Sequence, residues 1–401
     1  MITPTPNLHV AIACGGTGGH LFPGLAVAQE LSQEGCDITL CVSPKEVDQQ
    51  GVRGVIGMDV LTLPVVGLQG RNLLKFLMAT LRSRREARRY FAAKKPHAVI
   101  AMGGFTSTAP ALAGRSLGAV GFLHESNYVP GRANRLLAHF VDECFVGFPE
   151  SVCRLWNPRV SHTGTPVRPC IEPQETSACR MGLGMNPDKP VLLIMGGSQG
   201  ASGLNELILS ALPAMSSGMP DLQFLHLSGE RDLTMVRNAH APLGRRSVVR
   251  AFFSEMEFAL GAATLAVSRS GASTMAELAA MQLPSILVPF PQAADNHQYF
   301  NALAFASSGA AMLLEQKTPP SLFAQETLKL ATNPVRRDSM AQALRRWHVP
   351  DAARRIAQRI LTLAPLHHPG LRVPQGTNPQ PFGHRSAFGA EKETVESCLS
   401  Q

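Results

Sequence analysis

The run HVAIACGGTGGHLFPGLAVAQEL, residues 9–31, decides the fold. HVAIAC (9–14) is a short apolar run that reads as a buried strand. GGTGG (15–19) is a turn, and a helix is expected from about Gly24 to Glu34. The stretch PVLLIMGGSQGA (190–201) repeats this strand–glycine turn–helix design at the head of the second half. Between them, DITLCV (37–42), HAVIAMGG (97–104), VGFLHE (120–125) and ECFVGF (143–148) are further strands, with helical segments between most of them. In the second half LQFLHLSG (222–229), SVVRAF (247–252), TLAVSRSGAST (264–274), PSILVPF (284–290) and AAMLLE (310–315) continue the alternation. Strands alternating with helices imply a parallel sheet with helices on both faces. A chain of 401 residues exceeds what one core usually serves. The expectation is therefore α/β, with two doubly wound domains meeting in the proline-rich stretch TPVRPCIEPQ, near Pro166 to Pro173. Helical segments at about 319–347 and an amphipathic helix at 352–364 follow. From Pro365 the composition turns to Pro, Gly and polar residues, which predicts a disordered tail whose His367, His368 and His384 are solvated rather than metal-bound.

Composition narrows the partners. Lys and Arg outnumber Asp and Glu by 37 to 29, a formal charge of +8, which suits nucleic acid, anionic lipid or a phosphorylated substrate. The N-terminus lacks a basic start followed by an apolar run and cleavage site, so no secretion signal is read there. No charge-free apolar stretch reaches the ~18 residues of a membrane helix. The eight cysteines form no CxxC pair or zinc-spaced cluster, and read as reduced, buried, cytoplasmic thiols. No metal or other cofactor is expected.

Glycine turns between a buried strand and a helix let a ligand approach bare backbone, and the helix start offers unpaired N–H groups to an anion. GGTGG lacks the Gly-Lys-Ser/Thr of a Walker loop and is not GxGxxG, so a nicotinamide oxidoreductase is disfavoured. Alone, the motif is equally a tight turn. Two more such turns, GGSQG (196–200) and SRSGAST (268–274), sharpen the reading to a phosphate-bearing ligand between two domains. Ser270, Ser273 and Thr274 offer hydroxyls and N–H groups to phosphates. Glu277, one turn on, can accept both hydrogen bonds of a ribose diol.

GGTGGHLFPGLAVAQEL, MGGF (102–105), HESN (124–127), GTPVR (164–168), GGSQGA and SRSGASTMAELAAMQLPSILVPFPQAADNHQYFNA occur in one order from Leu8 to Ala364. Together they closely resemble the MurG family, the bacterial UDP-N-acetylglucosamine:undecaprenyl-pyrophosphoryl-muramoyl-pentapeptide N-acetylglucosaminyltransferases. The resemblance implies a GT-B fold, two Rossmann-like domains across a cleft, and inverting transfer to the 4-hydroxyl of a lipid-linked muramoyl-pentapeptide without an essential metal. It implies a peripheral enzyme on the cytoplasmic face of the membrane. It places an acceptor- and membrane-binding part in residues 1–168, joined by the returning helix 350–364, and the UDP-sugar part in 169–349, with 365–401 as tail. By position, Thr17, Gly18, Gly19, Asn127 and Arg168 would meet the donor UDP-N-acetylglucosamine. Ser198 would hold phosphate, and Phe253 would sit by the uracil. Ala272, Ser273, Thr274, Met275, Ala276 and Glu277 would line pyrophosphate and ribose, and Gln298 the sugar, with Asp295 and Asn296 close by. Gly103, Gly104, His124 and Glu125 would serve the acceptor. The family usually has Asn where Thr165 stands and often Gln where Ser126 stands.

Inverting transfer needs a base for the attacking hydroxyl and stabilisation of the leaving diphosphate. His20, at the end of GGTGGH, is the candidate base, or a helix-start histidine that orders the glycine turn. His124 and Glu125 compete for the role. For the leaving group, N–H groups at Ser273 and Thr274 are expected to act, since no Asp-x-Asp pair appears. GLQGRNLLKFLMATLRSRREARRYFAAKKP (67–96) combines Leu73, Leu74, Phe76, Leu77, Met78 and Leu81 with Arg71, Lys75, Arg82, Arg84, Arg85, Arg88 and Arg89. It suits an anionic membrane surface or a lipid diphosphate, or equally a core helix with a basic end. Nucleic acid is disfavoured for want of an aromatic platform. The rival enzyme is a UDP-sugar transferase for another lipid acceptor, such as a diacylglycerol.

Overall fold

In the computed structural model, residues 7–64, 73–197, 200–368 and 371 are described. Their strands are β1 (His9–Ala13), β2 (Asp37–Val42), β3 (Asp59–Thr62), β4 (Ala98–Ala101), β5 (Val120–Glu125), β6 (Glu143–Val146) and β7 (Val160–His162) in one sheet. A second sheet holds β8 (Val191–Met195), β9 (Gln223–Leu227), β10 (Ser247–Arg250), β11 (Leu265–Ser268), β12 (Ser285–Leu287) and β13 (Met312–Leu313). The orders are β3-β2-β1-β4-β5-β6-β7 and β10-β9-β8-β11-β12-β13. All of these pairings are parallel.

The central strands are continuous apolar runs because both faces are covered. On β1, Val10 and Ile12 face one layer and Ala11 and Ala13 the other. The first layer holds the helices Gly18–Gln33 and Ala352–His367. The second holds Leu73–Ala93 and Gly104–Arg115, and small residues such as Ala101, Ala111 and Ala113 let the backbones approach closely. The second sheet has its own core, from Phe148 and Ile171 through Leu344.

Four details differ from the expected elements. The first helix begins at Gly18, six residues before the expected start, and carries Pro23 inside it. Pro23 has no N–H to give the Gly19 carbonyl one turn back, and that carbonyl instead accepts from Ser273 Oγ of the second half at 2.7 Å. Gly24 lets this helix lie on the sheet, because a Cβ there would stand 2.5 Å from Cys14 Cβ. Strands β3 and β7, which the apolar pattern did not mark, are short and partly exposed at the sheet edges. The last helix continues through Pro365 to His367, because Ala364 is buried in the first core and His368 Nε2 pairs with His97 O at 3.1 Å. His384 lies outside the described residues.

The last helix is thus part of the first core, through Ile356, Ala357, Ile360 and Leu361. Arg359 fixes it with two bonds to Glu143 of β6, Nε to Oε1 at 3.0 Å and Nη2 to Oε2 at 2.7 Å. The Glu143 side chain is only 5% exposed. Removing Arg359 leaves a buried carboxylate without its counter-charge, which costs about 3 kcal/mol. Arg359→Ala is expected to lower unfolding free energy by about that much in urea titration, and the exposed Arg354→Ala by less than about 0.5 kcal/mol.

Candidate active site

Each sheet reverses direction once. In the first, the chain builds outward from β1 to β3 and resumes beside β1 with β4; in the second, β11 resumes beside β8. Ligands of doubly wound sheets bind outside the carboxyl ends of the strands at such a reversal. The turns after β1, β4, β8 and β11 are the glycine motifs, and helices start after them at Gly18, Gly104, Ser202 and Ala272. All four turns open onto one cleft of about 670 Å³ between the two sheets. Thr17, Gly18, Gly19 and Gly104 line it from one side, and Gly196, Gly200, Gly271 and Ser273 from the other. The unpaired N–H groups of two facing helix starts therefore point into the same space.

His20 lines the cleft on the first side. Its Nδ1 lies 3.2 Å from Thr17 Oγ1, and Thr17, at the helix cap, makes no side-chain bond to the helix backbone. The ring lies flat on Gly103 and Gly104. A Cβ at Gly103 would stand 2.9 Å from His20 Cδ2, and one at Gly104 2.9 Å from Cε1; both glycines have positive φ, 110° and 75°. The MGGF glycines thus make the berth for the imidazole, and Gly103 itself is shaped around His20 rather than lining the cleft. Burial holds the His20 pKa down to about 4, with Asp48 opposing the fall and His297 and Lys45 adding to it. Asp48, which no motif flagged, is fully buried and anchors the glycine turn. Its Oδ2 accepts from Gly16 N at 2.6 Å, Ser43 N at 2.9 Å and Ser43 Oγ at 2.5 Å.

The two competing base candidates are otherwise engaged. Glu125 lines the cleft, but its Oε1 accepts from Asn127 N and Nδ2, and its Oε2 from Gly131 N and Asn134 Nδ2, all at 2.8–2.9 Å. The carboxylate holds the loop from Ser126 to Asn134 in shape. His124 is fully buried away from the cleft, with Nε2 at 3.0 Å from Gly164 O and Nδ1 receiving the Ser126 hydroxyl at 3.3 Å. Thr165 turns its hydroxyl toward Gly147, so neither departure from the family pattern puts a free hydroxyl into the cleft from that side.

On the second side, Phe253 lines the cleft with Phe252, Leu227 and Met256, an apolar slot fit for a flat ring. Arg168 lies over the Phe22 ring at 4.4 Å and stands 3.7 Å from Glu277 Oε1, too far for a hydrogen bond. Its Nε and Nη2 are buried without partners, as are Glu257 Oε2 and Arg269 Nε. Burial raises the Glu277 carboxyl above its usual range, with Arg168 opposing and Glu257 adding. The Arg168–Glu277 pair, which lines the cleft, is short of hydrogen bonds that a diol and a diphosphate would supply. Gln298 lines the cleft, and its Oε1 accepts from Phe290 N at 2.9 Å, which leaves the amide NH₂ to donate elsewhere. Ala272 and Thr274 also line the cleft. Met275 does not: its side chain is buried in the second core, and Ala276 faces a separate small cavity near Trp347, because a helix turns successive residues away from one face. Ser198 lies outside the described residues.

Three sets of bonds cross the cleft. Ser273 binds Gly19, as above. Asn301, fully buried, accepts from Tyr128 N at 2.8 Å and gives Nδ2 across to Asn127 Oδ1 and, on its own side, to Ser270 O, both at 3.1 Å. The Asn127 side chain, expected on the donor, is thereby occupied by Glu125 and Asn301. Asp295 receives Arg132 Nη2 at 2.6 Å and Arg135 Nη2 at 2.7 Å. Asp295 and Asn296 have φ of 50° and 53°, a left-handed pair that costs about 1 kcal/mol per residue. Arg269, Asn301 and Asp48 are the residues the motif reading missed. The first two sit inside its longest motif, but only the fold shows their partners.

The description Glycosyltransferase family 28 N-terminal domain matches residues 10–146, and Glycosyltransferase family 28 C-terminal domain matches 191–356. A protein of Xanthomonas oryzae pv. oryzae (strain MAFF 311018) is 38% identical over 390 residues, 96% of this chain and 84% of its own. One of Anaeromyxobacter sp. (strain Fw109-5) is 34% identical over 360 residues, 87% of this chain and 92% of its own. Both bear the name UDP-N-acetylglucosamine--N-acetylmuramyl-(pentapeptide) pyrophosphoryl-undecaprenol N-acetylglucosamine transferase. The crystal structure of Acinetobacter baumannii MurG superposes with a TM-score of 0.67 at 27% identity, over 89% of this chain and all of that one.

Beneath the second side runs a chain of neutral histidines. His226 Nε2 pairs with Asn205 Oδ1 at 3.0 Å, His226 Nδ1 with His240 Nε2 at 3.2 Å, and His240 Nδ1 with Ser247 Oγ at 2.7 Å. Burial lowers His226 to about 3 and His240 to about 4, as it lowers His124 to about 4. The unfolded chain binds these protons near pH 6.5 and the fold refuses them, so stability is full above that pH and falls as pH drops toward 4. Each histidine is expected to cost about 1 kcal/mol by pH 5.5. A urea midpoint that stays level from pH 7 to 5 would refute this.

Proposed function

The chain belongs to glycosyltransferase family 28, and on that footing we propose that it transfers N-acetylglucosamine from its UDP donor to the 4-hydroxyl of lipid-linked N-acetylmuramoyl-pentapeptide, with inversion, in peptidoglycan synthesis. The observation that carries the reading is the convergence of four glycine turns, from two reversal points, on one cleft that also holds an apolar slot and a buried Arg168–Glu277 cluster. Two sheets facing each other present two ligands to one another, which a transfer reaction requires.

In this reading Phe253 borders the uracil and Glu277 accepts the ribose hydroxyls. Arg168 and the first N–H groups of the helix Ala272–Ala280, with Ser273 and Thr274, hold the diphosphate and stabilise it as it leaves. Gln298 gives its amide to the sugar hydroxyls, and Thr17, Gly18 and Gly19 close over the donor from the first sheet. Ser198 would add to the phosphate site. Gly104 and the loop organised by Glu125 border the acceptor. His20 is the base. In the tautomer whose Nδ1–H is given to Thr17, the Nε2 lone pair takes the proton of the attacking hydroxyl. Burial keeps His20 unprotonated, and the negative diphosphate arriving in the same cleft shifts its affinity for a proton back upward.

Transfer of labelled N-acetylglucosamine to the lipid-linked acceptor, with and without EDTA, tests the reaction. Product is expected in both cases. His20→Ala is expected to lower kcat by about a hundredfold or more with a much smaller change in donor affinity. Unchanged kcat removes His20 from the chemistry. Binding of the donor without product on this acceptor would move the protein to a transferase for another lipid acceptor.

The acceptor and the membrane share one side of the first unit in this proposal. On the helix Leu73–Ala93, Leu77, Met78 and Leu81 are 45–58% exposed, and Arg82, Arg84, Arg85, Arg88 and Arg89 are exposed beside them. The side chains of Leu73, Leu74, Lys75 and Phe76, and Arg71 as a whole, lie outside the described residues. No helix among the described residues is long and apolar enough to cross a membrane. An apolar strip with a basic margin fits a peripheral seat on the anionic, cytoplasmic leaflet. Leu77→Glu with Leu81→Glu is expected to abolish sedimentation with phosphatidylglycerol vesicles and leave UDP binding unchanged. Undiminished sedimentation would place the membrane contact elsewhere.

A further inference from the structure

The helix His297–Ser307 begins at the cleft, and its first turn carries Gln298. What sets that helix start is unusual. The turn before it holds two successive non-glycine residues in the left-handed region, Asp295 at φ 50°, ψ 25° and Asn296 at φ 53°, ψ 28°. Asn296, the N-cap of the helix that follows, makes no side-chain bond to the helix backbone. Strained backbone of this kind persists only where its surroundings over-determine it. Here the surroundings are supplied by the other half of the molecule. Arg132 reaches Asp295 Oδ1 through Nη2 at 2.6 Å and both carboxylate oxygens through Nε at 3.2 Å, and Arg135 reaches Oδ2 through Nη2 at 2.7 Å. Both arginines stand on the helix Arg132–Leu137, which belongs to the first sheet's layer. Behind the turn, His297 Nδ1 is tied to Ala294 O at 2.8 Å, so the turn and the helix start move as one piece.

We propose that Asp295 is a positioning residue: clamped by Arg132 and Arg135 across the cleft, it holds the strained turn that presents Gln298 to the donor sugar, so that this edge of the site is assembled only when the two halves are closed. The inference rests on the donor reading given above. The slot for uracil, the Glu277 carboxylate and the N–H groups of Ala272–Thr274 all lie within the second half and do not need the clamp. The sugar-reading edge does. A donor that closes the cleft therefore gains contacts to its sugar that UDP alone does not call on, and the protein favours the sugar nucleotide over its product. The arginines are 73% and 48% exposed, so the clamp is open to screening by salt.

The experiment compares UDP-N-acetylglucosamine with UDP by titration calorimetry on the full chain, at low and high sodium chloride, alongside steady-state transfer. The variants are Asp295→Asn, which keeps a residue suited to the left-handed turn but removes the charge, and Arg132→Ala with Arg135→Ala. Both are expected to bind UDP as the parent does, to lose roughly tenfold in preference for the sugar nucleotide, and to show a preference that no longer falls with salt. A fall in UDP affinity of the same size would mean a general structural defect and overturn the positioning role. So would variants that keep the parental preference and its salt dependence. If the parent itself binds the two nucleotides equally, the donor reading fails, and the clamp's role fails with it.

Discussion

Parallel strands buried on both faces have only their ends to offer a ligand. That constraint governs this molecule twice. With the central strands of each sheet sealed between helices, backbone N–H groups are accessible where strands stop and helices start, and reversal of strand order leaves a crevice at one such place in each sheet. The two crevices face each other. Much of the site follows from it: the glycines let backbone come close, the helix starts add positive charge to that of Arg168, and the side chains that matter stand on the loops and helix starts that follow the strands.

The same economy explains why so many polar groups of the cleft support one another rather than await a ligand. Glu125 is saturated by four donors and shapes a loop. Asp48 is saturated on one oxygen and pins the first glycine turn. Glu125, with both oxygens filled, is a scaffold, whereas Arg168 beside Glu277, short of hydrogen bonds, is a place for a guest. His20 stands between the two cases. One ring nitrogen is held by Thr17 and the face by two glycines, which leaves a fixed imidazole at the boundary between the sheets.

The halves are joined by polar contacts as well as apolar ones. Tyr128 and Phe148 from the first half meet Phe300, Phe305 and Trp347 from the second, and Asn301 threads hydrogen bonds between them. Pro23 contributes by omission: the carbonyl it leaves unpaired in its own helix receives Ser273 from the other half. Contacts of this kind are strong enough to orient and weak enough to part, which suits a cleft that must admit one substrate and release another.

The sequence alone determined the α/β alternation, the glycine turns and the family, because each is written in contiguous residues: apolar runs of strand length, glycines at fixed offsets, and a long motif from Ser268 to Ala302. It marked the residues around the glycine turns for the same reason. What it left undecided depends on partners far apart in the chain. Asp48 lies 32 residues from Gly16, Asn301 lies 174 from Asn127, and Asp295 lies 163 from Arg132. Local pattern carries no record of such pairings. The tertiary structure alone sorted His20, held at the cleft, from His124, buried behind it, though both lie near a strand's carboxyl end. It alone turned Met275 and Ala276 away from the site, since helix rotation, not sequence adjacency, decides which of successive side chains face a ligand. It also returned the last helix to the first core, where a buried Glu143 meets Arg359 across 216 residues.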